Sequence, residues 1–535
     1  MVLLDGMKRK IGLRIIFGVA AFVLVGIVLI KGMAEPWIEE KIQASFNKNS
    51  SDYQLNIEKV HISIFPSGIE LKNITLRSKK EKEGKTDLTG DIESVKFKGI
   101  HLIKALFRKD IDIREVDIFN SRIIGTFVFP EKPGLSKVSP LNIRIENLVV
   151  DKLVVDLKDK STAQAYSLKD GVLKVYDINV EKQDTLSPCI FGQFDFDAPE
   201  FKTVTPDSLY TFSAVGINNA ATSNTLTVNS FAVQPNYTEY EFTALHQFET
   251  DRIEGRFSQI SFFDFSAADY VKSGNLAGSF IEIREVKLKV FRDKRREFRH
   301  FEKPSFQDMI YNYPGTLNID SIGILSGNIV YAEHAEKAIE KGSIRFNEIN
   351  ATIYNIKNDT IYKTGKAYFK LNANALLMGK GEVDISLKAR LYDNQNTFAV
   401  NGMLSEMEVS ELNPILEENA FLSVTSGKIN TLNFSFSANN TKATGNLKLL
   451  YQGLDFAVMN KQTGETTAII EQVKSMIANL FVLESNPMPG EEVRLGVIEY
   501  ERDPERFLFN YVVKALMTGM KTSITKTKSP GKLKK

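Results

Sequence analysis

Apolar residues along this chain of 535 residues recur in a broken two-step rhythm. In IDIREVDI, Ile111 to Ile118, they hold the first, third, sixth and eighth positions. The same frame returns as LNIEKVHI (Leu55 to Ile62), IELKNITL (Ile69 to Leu76), VKFKGIHL (Val95 to Leu102) and IRIENLVV (Ile143 to Val150). Further copies are LKVYDINV (Leu173 to Val180), LTVNSFAV (Leu226 to Val233), IEIREVKL (Ile281 to Leu288), LNIDSIGI (Leu317 to Ile324) and IRFNEINA (Ile344 to Ala351). They share polarity rather than identity, and their irregular spacing fits no named solenoid period. Alternation within each half is the signature of a strand with one apolar face. A regular strand would place the second half on the opposite face. One extra residue, a β-bulge, restores the face and adds twist; a hairpin with a two-residue loop would also do so. Arg114-Glu115 and Tyr176-Asp177 are poor residues for primed turns, which need positive φ. The pattern therefore predicts bent, bulged strands, about twenty in all, with one apolar and one polar face.

The strand signal runs from Tyr53 to about Tyr451, interrupted by turn-rich stretches such as VFPEKPGLSKVSP, NNAATSN and MGKGE. Arg296 to Gly315 lacks clean alternation and predicts a loop or short helix between two sheet regions. Val330 to Gly342 fits either a short surface helix or a strand followed by a helical turn. Ile469, Val473, Met476, Ile477 and Leu480 stand at helical spacing within Thr467 to Phe481, so an amphipathic helix is expected there. A last helix is expected where Phe509, Val512, Val513, Leu516 and Met520 form one stripe, followed by a basic tail.

Near the N-terminus, Ile15 to Ile30 is uncharged, and Ile11 with a snorkelling Arg14 extends it towards the roughly 20 residues needed to span a bilayer. Lys8, Arg9, Lys10 and Arg14 precede the span, whereas Glu35, Glu39 and Glu40 follow it. The positive-inside rule then puts the start in the cytoplasm and the bulk outside. A cleaved signal peptide is the alternative, with Gly32 and Ala34 suiting a small-residue site, but the apolar stretch exceeds a usual signal core. Trp37 fits an interfacial anchor or an ordinary apolar residue of a short helix carrying Ile38, Ile42 and Phe46.

A net charge of +2 gives no support for nucleic-acid binding. The single cysteine, Cys189, has no partner for an internal disulfide and reads as a small buried apolar residue. The five histidines, His61, His101, His246, His300 and His334, show no zinc spacing, and His334 between Glu333 and Glu336 reads as a solvated surface residue. No phosphate-binding loop or nucleophile elbow occurs, so neither an enzyme nor a cofactor or metal is expected.

VHISIFPSGIELKNITLRS, IESVKFKGIHLIKALFRKDIDIREVDIFNSRI and PLNIRIENLVVDKLVVDLKD, following the apolar segment, resemble the opening of the AsmA-like proteins of Gram-negative envelopes. LNPILEENAFLSVTSGKINTLNFSFSANNTKATGNLKLLYQGLDF resembles that family's C-terminal region, in which a Ser-Gly-Lys turn starts a strand run closing on Gly-x-x-x-Leu-x-Tyr. YERDPERFLFNYVVKALMTGMKTSI is similar to the tail of forms from Bacteroidetes. The likeness covers roughly residues 10 to 190 and 405 to 525.

The resemblance implies a mainly β fold: an N-terminal transmembrane helix, then a long, twisted, open, antiparallel-rich β-sheet shaped as a taco-like groove, with a few amphipathic helices. The expected organisation is a cytoplasmic start (1–10), transmembrane helix (11–31), juxtamembrane helix (32–50), two parts of a β-groove (51–300 and 317–460) joined by a connecting segment (301–316), amphipathic helices with a closing strand (461–520) and a basic tail (521–535). It further implies an inner-membrane protein whose periplasmic groove holds or conducts phospholipid, serving outer-membrane lipid homeostasis. Phospholipid, the inner membrane and other envelope proteins are the partners implied. Ile69, Leu71, Ile111, Ile113, Val116, Ile143, Ile145, Leu148 and Val150 are the candidate groove residues, and Arg14 and Trp37 the membrane-interface residues. An apolar sheet face must be closed, covered or occupied, which agrees with a ligand-holding groove but also with a filled sandwich core. A scaffold binding envelope proteins through sheet edges, without lipid, is the alternative function.

Overall fold

The computed structural model describes residues 35–48, 50, 52–63, 68–79, 86–100, 110–128, 142–180, 191–358, 368–459 and 482–525. The expected transmembrane helix with Arg14, Cys189, the helix at 467–481 and the lysines after residue 525 lie outside these residues. No described helix is long and apolar enough to cross a membrane. The chain divides into two compact units, residues 1–207 with 217–220, and residues 208–216 with 221–535. Strand β8 (Tyr210–Ala220) falls at the division.

The first unit holds helix α1 (35–48) and strands β1 (Tyr53–Ser63), β2 (Gly68–Ser78), β3 (Asp87–Ile100), β4 (Asp110–Phe127), β5 (Asn142–Asp159), β6 (Ala165–Val180) and β7 (Phe194–Val204). Consecutive strands pair antiparallel, except β4 and β5, which run parallel.

The second unit begins with β9 (Thr225–Pro235), α2 (Glu239–Ala244), β10 (Asp251–Phe263), α3 (Ala267–Ser273), β11 (Leu276–Asp293), α4 (Phe306–Tyr311), β12 (Leu317–His334) and β13 (Gly342–Lys357). It continues with β14 (Tyr368–Leu377), β15 (Gly381–Arg390), β16 (Phe398–Leu404), β17 (Met407–Glu408), α5 (Asn413–Ala420), β18 (Leu422–Ala438), β19 (Lys442–Val458), β20 (Leu495–Glu501) and α6 (Leu508–Ile524). Its strand pairs are antiparallel except β11 with β12. Parallel neighbours need a return crossover, and residues 294–316, with α4 inside them, supply it between β11 and β12. The irregular stretch at 296–315 is therefore a connection within the second unit. The two units divide near residues 207–221 instead.

The broken rhythm is carried inside the strands, but it is a true bulge only in places. The register shifts within the frames of β11 and β13, whereas through the frames of β1 to β5 it is kept. Each frame lies inside a single strand as far as it is described, and no hairpin interrupts one. The second residue of the polar step turns left-handed at Asn73 (φ 49°), Gly99 (67°), Asp177 (54°), Glu285 (48°) and Glu348 (52°). Glycine, asparagine and aspartate tolerate this conformation, whereas for Glu285 and Glu348 pairing on both sides must override the steric cost. In β1 and β2 the register passes from Ile57 opposite Ile74 to Lys59 opposite Lys72. Glu58 and Asn73 thus leave the ladder together, and Asn73 Nδ2 donates to Glu58 Oε2 at 2.7 Å. The result is that Leu71 and Ile74, three apart, are buried in one cluster, as are Ile113 and Val116. Ser426-Gly427-Lys428, expected as a turn before a strand run, is likewise an irregularity inside β18.

In the second unit the apolar face of β15 to β20 is covered. Leu387, Val400, Phe434, Phe436, Leu447 and Ile498 form one buried cluster with Tyr511 and Ala515 of α6. Helix α6 meets the sheet through small residues: Ala515, Gly519 and Ser523 are buried. A Cβ on Gly496 of β20 would stand 2.1 Å from the Gly519 carbonyl oxygen, so backbone lies against backbone there. Val512, Leu516 and Met520 flank this seam, while Phe509 and Val513 point outward, 59% and 36% exposed. The expected helix exists, but its contact stripe is rotated, because close approach selects small residues over large ones.

Candidate functional site

The candidate groove residues all belong to the first unit, and strand register aligns them in rows across the sheet. One row runs Val60, Leu71, Val95, Ile118, Val150, Leu173. The next runs Ile62, Ile69, Phe97, Val116, Leu148, Val175. A third runs Ile100, Ile113, Ile145, Ile178, and a fourth Ile111, Ile143, Val180. Ile69, Leu71, Ile111, Ile113, Val116, Ile145 and Leu148 share one hydrophobic cluster, and Ile143 and Val150 extend its rows.

This face is covered only in part. Leu71, Ile113, Val116 and Val150 are buried, but Ile69, Ile111, Ile143, Ile145 and Leu148 are only half-buried. Helix α1 is the one described helix of the unit, and it packs Ile38 and Ile42 on the cluster at the β1 end. Because the rows are aliphatic or aromatic throughout, the face offers a partner dispersion and burial, with no group for acid–base work or metal ligation. The opposite face is an ion-pair ladder: Lys98 Nζ lies 2.7 Å from Glu115 and 2.5 Å from Asp117, and Lys96 lies 3.4 Å from Glu70. Hydrogen bonds to Asp117 and Glu115 hold the Lys98 ammonium above its ordinary pKa. The charged face is solvated and self-paired, and the apolar one is not.

Ile57, Val60, Ile74 and Val95 stand at apolar positions of their frames but were not among the groove candidates, and sequence reading missed what α1 does. Helix α1 hydrogen-bonds β1 along its length: Glu35 accepts from the Ile62 N–H (2.8 Å), Gln43 from Ile57 (3.1 Å) and Asn47 from Leu55 (2.8 Å). The signal was available, since Glu35, Glu39, Gln43 and Asn47 stand four apart, which stacks them on one helix face. Helix α6 treats β20 in the same way: Thr522 Oγ1 accepts from the Val497 N–H at 2.8 Å and Thr518 Oγ1 from Glu499 at 3.2 Å. Both strands, each with one strand partner among the described residues, thus have edge donors satisfied by a helix. Trp37 lies on α1, 59% exposed, with Lys41 Nζ 5.9 Å from its ring centre.

His334 departs from expectation. It is buried, bonded to the Tyr240 hydroxyl at 2.9 Å and the Ala338 carbonyl at 3.1 Å. Strand β12 continues through residue 334 and a turn follows, with Tyr240 of α2 packed against the imidazole. Beside it, buried Glu333 accepts from Tyr331 (2.6 Å), Asn419 (2.7 Å) and Lys294 (2.7 Å). These groups tie the strand ends to α2 and α5. No cluster of metal-ligating side chains occurs among the described residues. No protein-family model and no curated protein matches the chain.

Proposed function

We propose that the chain is an AsmA-like envelope protein, anchored in the inner membrane by residues 11–31, whose periplasmic β-sheet holds or conducts phospholipid on the apolar face of the first unit. The observation that carries this reading is the set of aligned rows through Ile69, Ile111, Ile143, Ile145 and Leu148, left half-buried in a chain that seals the corresponding face over β15 to β20. Half-exposed aliphatic rows without any charge suit acyl chains, whose burial contributes roughly 0.8 kcal/mol per methylene. Left-handed residues such as Asn73 and Gly99 interrupt the strands and would bend such a face around a ligand. Edge donors capped by α1 and α6 tell against the scaffold alternative, because strand addition needs free donors. The test is mass spectrometry of phospholipid co-purifying with the full chain and with the Ile143→Asp/Ile145→Asp variant. Wild type should carry lipid. The variant, with two charges on the face, should stay folded and lose it, and Arg144→Gln on the opposite face should change nothing. Lipid-free wild type, or a variant that unfolds as a filled core would, sinks the reading.

A further inference from the structure

The polar face of the second unit is built unlike that of the first. Register aligns Thr352, Asn372, Ser386, Asn401, Ser435 and Asn446 in one row across β13 to β19. A neighbouring row runs Asn374, Asp384, Met403, Asn433 and Lys448. These residues line a cavity of about 1090 Å³, slightly above the usual size of small-molecule sites. Asparagine is depleted in strands, and the first unit solvates its polar face with lysine and glutamate instead. Repeated asparagine at aligned central positions therefore asks for a reason beyond solubility.

The side chains are pre-arranged. Ser386 donates to Asn372 Oδ1 (3.0 Å), Ser435 to Asn401 Oδ1 (2.6 Å) and Asn350 Nδ2 to Asn374 Oδ1 (3.2 Å). Each bond occupies an amide oxygen and leaves the Nδ2 donors of Asn372, Asn401 and Asn374 available to the cavity. Phe280, stacked on Phe263 with ring centres 6.1 Å apart, and Tyr354, 39% exposed, supply aromatic surface within or beside it.

This chemistry selects among ligands. Acyl chains could cover the exposed Leu325, Met403 and Leu495 of the lining, but they would also strip water from two rows rich in amides and hydroxyls without replacing its hydrogen bonds. A polyanion would need several cations, whereas among the described residues Lys448 is the one cation lining the cavity, against Glu282 and Asp384. A peptide strand would need backbone donors, and here the ladders on both sides of β14, β15, β16 and β18 consume them. What remains is a neutral ligand rich in groups that both donate and accept, with apolar faces to rest on aromatic rings. We propose that this cavity binds a neutral oligosaccharide chain, a function separate from lipid holding by the first unit.

Titration calorimetry of the full chain with maltohexaose, cellohexaose and chitohexaose tests it, using wild type, Asn372→Ala/Asn401→Ala and Tyr354→Ala. At least one hexasaccharide should bind wild type, and each variant should weaken it by about tenfold or more. Because these side chains are exposed, thermal stability and co-purified lipid should not change. Failure of all three sugars to bind below about 10 mM, or equal binding by wild type and both variants, overturns the proposal. Neither result touches the lipid reading, whose own variant lies in β5.

Discussion

Two apolar faces written in the same alternation end differently. On β15 to β20, Val400, Leu447 and Ile498 are each 1% exposed, because α6 lies on them with Ala515, Gly519 and Ser523 at the seam. On β4 and β5, Ile111, Ile143, Ile145 and Leu148 are half-buried, and the one described helix of that unit reaches only the β1 end. Alternation therefore says which side chains share a face but not whether the face is a core. A sealed face stores stability. A half-covered one keeps apolar area in reserve for a ligand.

Matched truncations should give the largest contrast. Leu447→Ala leaves a cavity in a closed core and should cost about 3 to 5 kcal/mol, whereas Ile145→Ala should cost only about 1 kcal/mol, because the lost surface was already partly wet. Urea unfolding of the two variants checks this; equal losses would mean that the first unit's face is also a filled core.

A smaller effect should follow from disturbing the cover itself. A Cβ on Gly519 would meet Ile498 Cγ1 at 2.7 Å and Leu447 Cβ at 3.1 Å. Gly519→Val should then push α6 off β20 at a cost of about 1 to 3 kcal/mol. Amide exchange should speed up at Val497 and Glu499, whose donors Thr522 and Thr518 hold, and stay unchanged at Leu55 and Ile57 under α1. Faster exchange at both sites would dissolve the distinction between the regions.

The smallest effect is on pH. Burial pushes the Tyr451 hydroxyl up to about 12, and its proton is donated to the Leu483 carbonyl at 2.8 Å. Burial raises Tyr511, on the sheet-facing side of α6, as well. In the unfolded chain tyrosine releases its proton near pH 10. Between about pH 10 and 12 the unfolded state thus binds fewer protons than the folded one, and stability falls as pH rises. Thermal melts across that window should show the decline, and Tyr451→Phe should shallow it; an unchanged slope would remove Tyr451 as its source.

The nine groove candidates were legible because each sits in a frame whose period is a property of near neighbours. Ile113 and Val116 could be assigned to one face before any partner strand was known, and the absence of a hairpin between them followed from the poor turn chemistry of Arg114-Glu115. The bulge expected there is not found, since the register holds across both residues. Row alignment was not legible, since Ile145 meets Ile113 and Ile178 only through pairings with residues over thirty positions away along the chain. The contact face of α6 was misjudged for a related reason. Hydrophobic size picks out Phe509 and Val513, but a helix that touches a strand backbone to backbone needs Ala515 and Gly519 at the seam.

By itself, then, the sequence determined the strand content, the broken frames within single strands, the identity of the two faces and the existence of the last helix, all of which follow from local periodicity and backbone sterics. Only the tertiary structure decided which apolar face is sealed, that α1 and α6 satisfy the edge donors of β1 and β20, that His334 is buried, and that scattered asparagines assemble into one row. Those outcomes depend on register between distant strands and on where a helix comes to rest. Both are set by long-range packing that no window of consecutive residues contains.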